Sequence, residues 1–438
     1  MKALLITSIL TLTMLQGLHA QIDTSSLNPE DHNISETALA ILHSDINDGL
    51  YGPVHSLLIV RDSSLVYEEY YNDYTRDQLH PIYSVTKTFT SALVGIAIDQ
   101  GLIGSVEDAV LDYFPDYPDI LHNDSLKQAI KIKHLLSMTS GLGSEVGVYD
   151  SDNYVEYMLN VPMDTIPGTV WRYSAGNTIL LGGIIQTVAG ESVEDYASQY
   201  LFPKIGITDW FWNTGPNNLT GTSGGLQVTP RDMAAFGQLY LQHGHWNGEQ
   251  IISKAWIEAS TALSVDFARN NYGYCYQMYR FIDTAPVPQL LQTNDLFFAS
   301  GSQKQKIYVI PHFNLVVTLT SANANADAIL EQVLLAVTDR LTITSDTDNI
   351  TSQKGLSMTS HPNPLKQSTL ITYTLDQPQH VTLTLYDHLG RVVDTLVNAR
   401  QGAGSHSIRW DTQGAPSGTY TCKLQAANTS VTIQLILK

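Results

Sequence analysis

Ser84-Val85-Thr86-Lys87 places a serine and a lysine three residues apart, one helical turn from each other on one face. A serine hydroxyl is a weak nucleophile until a base takes its proton, and an amine one turn away is within reach to do so. No other serine in the chain has a lysine at this spacing. The segment that follows, Phe89 to Ile103, is apolar almost all round, with Ala92, Leu93, Val94, Ile96, Ala97 and Ile98, and its helix stops at Gly101. A helix apolar on every side belongs in a core. A lysine at its head is desolvated, which depresses its pKa toward the range where the amine acts as a base. Spacing alone also admits a lysine that snorkels to solvent, so the meaning of the pair rests on what surrounds it.

The elements that must hold the pair lie on either side. His55 to Val60 reads as a strand, Arg61-Asp62-Ser63-Ser64 as a turn and Leu65 to Tyr71 as a returning strand. A second hairpin is expected from Lys306 to Ile310 and Leu315 to Leu319, around Pro311-His312-Phe313-Asn314. An amphipathic helix over Ala326 to Arg340 follows it. Strands at both ends with helical material between them predict an α+β body over residues 21–345, an antiparallel sheet with helices packed on it. Residues 346–360 are polar and aromatic-free and read as a linker. From 361 to 438, short alternating runs punctuated by turn residues predict a small all-β sandwich.

Four stretches of the body carry a resemblance. His134-Leu135-Leu136-Ser137-Met138-Thr139-Ser140-Gly141-Leu142 and Pro167-Gly168-Thr169-Val170-Trp171-Arg172-Tyr173-Ser174 are two of them. The others are Gly224-Gly225-Leu226 leading into Thr229-Pro230-Arg231-Asp232-Met233-Ala234, and Trp246-Asn247-Gly248-Glu249-Gln250-Ile251. In that order they resemble the β-lactamase-related serine hydrolases, a family that includes class C β-lactamases and penicillin-binding proteins. The resemblance implies an antiparallel sheet flanked by helices, with an all-helical lobe inserted after the Ser84 helix. It also implies Ser84 as the acylated nucleophile, Lys87 as its base partner and Tyr173 as a proton relay. The third motif of the family falls on Ala299-Ser300-Gly301, a substrate-lining strand in which Gly301 lets substrate approach. The backbone N–H groups of Ser84 and Ser302 then form the oxyanion hole.

Two departures shift the expected chemistry. Ala299 stands where the family usually has a lysine that helps hold a substrate carboxylate. Ala175 stands where it usually has an asparagine, with Asn177 two residues on as a candidate polar contact to substrate. Lys304, Lys306 and Arg172 are candidates to replace the lost cation. The expectation is therefore a hydrolase of carboxylic esters or small amides working through a Ser84 acyl-enzyme. The alternatives are a D-Ala-D-Ala carboxypeptidase or β-lactamase acting on short peptides or β-lactams, and a non-enzymatic surface protein on a hydrolase scaffold. Gly221-Thr222-Ser223-Gly224-Gly225 matches the Gly-x-Ser-x-Gly nucleophile elbow. It lacks the strand before and the helix immediately after that the elbow needs, so it reads as a glycine-rich loop. His243-Gly244-His245 has no companion ligands, and neither a metal nor a cofactor is expected.

Composition and the chain ends bound the setting. The 438 residues carry 42 acidic and 23 basic side chains, a net charge of −19, with no basic block. That argues against nucleic-acid partners and against adhesion to anionic lipid. Lys2, the apolar run Ala3 to Leu15 and Leu18-His19-Ala20 read as a signal peptide over residues 1–20, too short to span a bilayer. The two cysteines, Cys275 and Cys422, fall in different domains and read as small buried hydrophobes. His361-Pro362-Asn363-Pro364, Tyr386-Asp387-His388-Leu389-Gly390-Arg391-Val392-Val393 and Ser417-Gly418-Thr419-Tyr420 resemble the C-terminal sorting domain of type IX secretion substrates. That resemblance implies the type IX machinery as a partner and a secreted or cell-surface destination beyond the outer membrane, without stable insertion in a membrane.

Overall fold

The computed structural model describes residues 22–24, 28–267, 272–282, 295–344, 356–361, 363, 365, 368–375, 377–387, 391–412, 414–426 and 429–437. The expected signal peptide lies outside these residues. The chain divides into two compact units, 1–343 and 344–438.

In the first unit, alternation and turn chemistry build both expected hairpins. Strand β1 (Val54–Arg61) turns through Asp62 and Ser63, with φ of 51° and 64°, into β2 (Ser64–Tyr70). Positive φ at both central residues gives a turn whose twist matches that of the strands. Four strands come later in the chain: β3 (Val265–Phe267), β4 (Tyr272–Tyr274), β5 (Tyr279–Phe281) and β6 (Phe297–Gly301). The second hairpin follows as β7 (Gln305–Ile310) and β8 (Leu315–Ser321), joined through Asn314 in the left-handed region. The sheet runs β2-β1-β8-β7-β6-β5-β4-β3, antiparallel throughout. The first and last hairpins of the body thus meet at β1–β8.

Helices cover both faces of this sheet. Residues of β1 are buried along its whole length and alternate between two cores. Leu57 and Ile59 join one core with helices α1 (Glu36–Asn47) and α9 (Ala326–Thr344). Leu58 and Val60 join the other, with α2 (Thr86–Asp99) and α7 (Pro230–Leu241). On that second side stands the helical lobe: α3 (Ile132–Leu136), α4 (Tyr154–Asn160), α5 (Ala175–Ala189) and α6 (Val193–Tyr200), with α8 (Lys254–Thr261) beside α2. Helix α2 is buried from Thr86 to Ala97. Phe89 stacks on Phe236 of α7 at a centroid distance of 3.8 Å. Gly95 leaves room for Trp256, which a Cβ would meet at 2.4 Å. Packing on every side fixes α2, and with it the Ser-Lys turn at its head.

The second unit is the expected β-sandwich. One sheet holds β9 (Leu356–His361), β10 (Ser368–Leu375) and β13 (Gly404–Asp411). The other holds β11 (Gln379–Tyr386), β12 (Val392–Gln401), β14 (Gly418–Ala426) and β15 (Thr429–Leu437). Trp410, Tyr420 and Leu424 lie in its apolar core. The stretch read as a linker, 346–360, ends earlier than expected, since Leu356 onward pairs with β10. Only Met358 and Ser360 supply described side chains there, and an edge strand of polar residues looks like a linker in sequence. Two residues of the C-terminal stretches quoted above act as clips. Asn363 donates to the Gln434 carbonyl and accepts from the Ile436 N–H, and Asp387 accepts from the Arg391 backbone and guanidinium. Cys275 and Cys422 are both buried free thiols, one in each unit, and burial pushes both up to about 12. Among the described residues no helix is long and apolar enough to cross a membrane.

Candidate active site

Ser84 sits in a single 3-10 turn, Tyr83–Val85, that leads straight into α2. The lysine one turn on is 3 % exposed, and its Nζ donates to Ser84 Oγ at 3.1 Å. It also donates to the Ser223 carbonyl at 2.5 Å. Burial lowers the Lys87 pKa to about 8, opposed in part by the Glu145 carboxylate. The amine is therefore present as a base at mildly alkaline pH.

Tyr173 closes over this pair. Lys87 Nζ lies 5.1 Å from the centroid of its ring. Burial raises the Tyr173 pKa, while its hydrogen bond with Ser84 lowers it, and burial prevails. The raised phenol and the depressed amine make Lys87 the better candidate to accept the serine proton, with Tyr173 the candidate to donate one. Two of the sequence motifs turn out to be one scaffold for this tyrosine. Arg172 N–H bonds the Met138 carbonyl, and Gly168 N–H bonds that of Thr139. At Gly141, φ is 79°, and a Cβ would lie 2.3 Å from the Thr165 carbonyl oxygen, so only glycine fits there. His134 caps α3, accepting from the Lys131 N–H through Nδ1, and its carbonyl accepts from the Thr139 N–H of the same loop.

The third motif meets the nucleophile turn directly. A Cβ on Gly301 would lie 2.4 Å from the Ile82 carbonyl oxygen and 3.3 Å from Ser84 N. The close approach that requires glycine is thus by the protein's own turn, where the sequence suggested substrate. It brings the end of β6, and Ser302 after it, beside the Ser84 N–H, where an oxyanion hole needs its donors. Ser302 is exposed and Ser300 half-buried, paired with Lys306 across the ladder. Ala299 is buried in the apolar layer between sheet and α2, beside Thr88, Phe236 and Met278.

The remaining candidates separate. Asn177 is 1 % exposed inside α5, where its amide donates to Met138 Sδ, so it is a core residue and not a surface contact for substrate. Arg172 is paired with Asp164 at 2.6 Å. Lys306 lies buried 4.5 Å from the Phe298 ring centroid, on the α9 face of the sheet. Lys304 is exposed in the turn after Ser302.

Sequence reasoning missed three residues. Glu145 caps α5, accepting from Ser174 Oγ, Ala175 N and Gly176 N at 2.5, 3.1 and 2.6 Å, and its charge acts on Lys87 and Tyr173. Ser223 belongs to the glycine-rich loop set aside as a nucleophile elbow. That loop is a wall of the site: its Thr222 carbonyl accepts from Thr90 Oγ1, its Ser223 carbonyl from Lys87, and Leu226 N donates to Thr86 Oγ1. The third, Tyr149, bonds Ser223 Oγ at 2.9 Å. Among the described residues no group of three or more His, Cys, Asp or Glu side chains is placed to hold a metal ion.

The geometry predicts a pH profile. Activity that depends on neutral Lys87 rises with pH through a limb near 8. Glu145→Gln keeps one of the two accepting oxygens at the cap and removes the charge that supports the ammonium, so the limb moves to lower pH. A kcat/KM profile that does not move in this variant contradicts the coupling.

A serine-lysine turn at the head of a buried helix, set against an antiparallel sheet with a helical lobe beside it, is the arrangement of the β-lactamase-like fold. Residues 49–339 match the beta-lactamase family model, and the chain belongs to that family. Residues 363–430 match the FlgD Ig-like domain. The 6-aminohexanoate-dimer hydrolase of Paenarthrobacter ureafaciens is 25 % identical over 237 residues, 50 % of this chain and 60 % of that protein. Penicillin-binding protein 4 of Amycolatopsis lactamdurans is 22 % identical over 331 residues, 66 % of this chain and 81 % of its own. Among solved structures, EstCE1, a hydrolase with promiscuous acyltransferase activity, is similar with a TM-score of 0.56 at 17 % identity, covering 70 % of this chain and 99 % of its own. A penicillin-binding protein homolog from Caulobacter crescentus is similar with a TM-score of 0.58 at 15 % identity, covering 73 % and 100 %.

Proposed function

We propose that the protein is an exported serine hydrolase that cleaves a carboxylic ester or small amide through an acyl-enzyme on Ser84. The observation that carries this is the buried Lys87 amine 3.1 Å from Ser84 Oγ, beneath Tyr173. Neutral Lys87 takes the Ser84 proton as Oγ attacks the substrate carbonyl carbon. The carbonyl oxygen becomes an oxyanion at the Ser84 and Ser302 N–H groups. As the tetrahedral centre collapses, Tyr173 donates its proton to the leaving oxygen or nitrogen and regains one from Lys87. Water, deprotonated by the same pair, then attacks the acyl carbon and frees Ser84.

Ala299 favours this over β-lactam or D-Ala-D-Ala substrates. It presents no cation to a substrate carboxylate, and of the three candidate replacements Arg172 and Lys306 are engaged elsewhere, which leaves Lys304, exposed in the turn after Ser302. Among the relatives is a 6-aminohexanoate-dimer hydrolase, which fits this reading. A panel of p-nitrophenyl esters, short amides and nitrocefin tests the choice on the full chain. Turnover of an ester or amide with kcat/KM at least about a hundredfold above that for nitrocefin is expected. The reverse order identifies a β-lactamase, and turnover of none identifies a non-catalytic binding protein.

The C-terminal motifs support export by type IX secretion across the outer membrane, with the signal peptide as the first step. Deleting residues 361–438 should leave the hydrolase inside the cell envelope, while the full chain reaches the surface or medium. Equal release of both forms contradicts the sorting role.

A further inference from the structure

Beside the Ser84 centre lies a cavity of about 290 Å³. Its walls are the Thr220–Gly225 loop on one side and Tyr149, Tyr154, Asn213 and Thr214 on others. Two lining residues are shared with the centre: Ser223, whose carbonyl holds Lys87, and Gly224, which packs on the Tyr83 backbone. Tyr149 is 59 % exposed, and its ring meets that of Tyr154 edge-on at 5.5 Å. Its hydroxyl reaches Ser223 Oγ.

The lining sets the Tyr149, Tyr154, Ser223 and Thr214 hydroxyls and the Asn213 amide beside apolar Ile179 and Leu219, and holds no lysine, arginine, aspartate or glutamate side chain; the Thr222 hydroxyl is taken up by the Thr178 carbonyl. Three of the charges near the centre are engaged, and Lys304, exposed after Ser302, is not among the lining residues. Lys87 is buried under Tyr173, Glu145 accepts three hydrogen bonds at the head of α5, and Arg172 is paired with Asp164. A carboxylate entering the cavity meets no cation, and an ammonium meets no carboxylate in its walls. An alkyl group can lie on Ile179 and Leu219 but covers the Tyr149 and Ser223 hydroxyls without offering them a hydrogen bond. What fits is a neutral group that both donates and accepts.

We infer that this cavity is a substrate subsite for an uncharged hydrogen-bonding group, a carboxamide or a hydroxyl, carried on one flank of the scissile bond. The inference rests on the reading of Ser84 as an acylated nucleophile and narrows its substrate class. It is independent of Ala299, which disfavours a carboxylate on the strand side.

Two substrate series on the full-length protein test it. In one, p-nitrophenyl esters have acyl chains of equal length ending in carboxamide, carboxylate, ammonium or methyl. In the other, acetate esters have alcohols ending in the same four groups. The carboxamide is expected to lead in one series, with kcat/KM at least about tenfold above the carboxylate. Tyr149→Phe should reduce the carboxamide-to-methyl ratio about five- to tenfold, the loss of one neutral hydrogen bond. Thr214→Trp, which fills the cavity from an exposed position on its far wall, should bring that ratio close to one. Labelling by a fluorophosphonate reports separately on Ser84. A labelled wild-type enzyme with no carboxamide preference in either series overturns the subsite and leaves the acyl-enzyme standing, as does Thr214→Trp with the wild-type ratio. An unlabelled Ser84 overturns the acyl-enzyme reading itself.

Discussion

Ser84→Ala is expected to lower kcat/KM for an activated ester by at least about 10⁴-fold, the scale at which removing a nucleophile collapses covalent catalysis. The hydroxyl is the one atom in the site with a base at 3.1 Å and a phenol above it. Removing it leaves Lys87 still bonded to the Ser223 carbonyl, so the fold around it persists. Thermal denaturation should therefore shift little while turnover disappears. Residual turnover within about tenfold of wild type would place the nucleophile elsewhere. Ser223 is the nearest alternative, and its Oγ faces Tyr149, with no lysine or histidine bonded to it among the described residues.

Gly301→Ala should also be strongly damaging, although it adds a single carbon. The new Cβ has the Ile82 carbonyl oxygen at 2.4 Å and Ser84 N at 3.3 Å. Neither is the end of a flexible side chain; both are backbone, so strand or turn must move. The Ile82 carbonyl accepts from Val85 N at 3.1 Å, and Ile82 N donates to Leu226, so the turn is tied on both sides. Moving it displaces the Ser84 N–H from the developing oxyanion. Loss of one oxyanion donor costs about 10²–10³ in kcat. The expected result is a fall of that size in kcat with little change in KM, in a protein that still melts cooperatively. A wild-type kcat would show that β6 does not shape the oxyanion hole.

Much of this was readable from the sequence because the relevant signals are local. Ser84 and Lys87 are one turn apart, and the hairpins announce themselves by period-two alternation around turn residues. The sandwich strands are legible for the same reason. Tyr173 became legible only through the motif around it, since one tyrosine among 23 carries no signal of its own. What was hidden depends on contacts between distant segments. Lys87 meets the Ser223 carbonyl across 136 residues, and backbone acceptors leave no trace in residue identity. Glu145 caps a helix that begins thirty residues later, beyond any local capping pattern. Asn177 was misplaced because sequence distance from Tyr173 does not tell which face of α5 turns inward. Strands β3, β4 and β5 span three residues each, too short to show alternation.

The central claim is a covalent acyl group on Ser84, and intact-mass analysis of the full chain measures it directly. After brief exposure to a fluorophosphonate or an activated ester, the folded protein should gain the mass of one adduct. Digestion should place that adduct on the peptide containing Ser84, and Ser84→Ala should abolish it. A folded protein that gains no mass, or that carries the adduct on the peptide containing Ser223, contradicts the account.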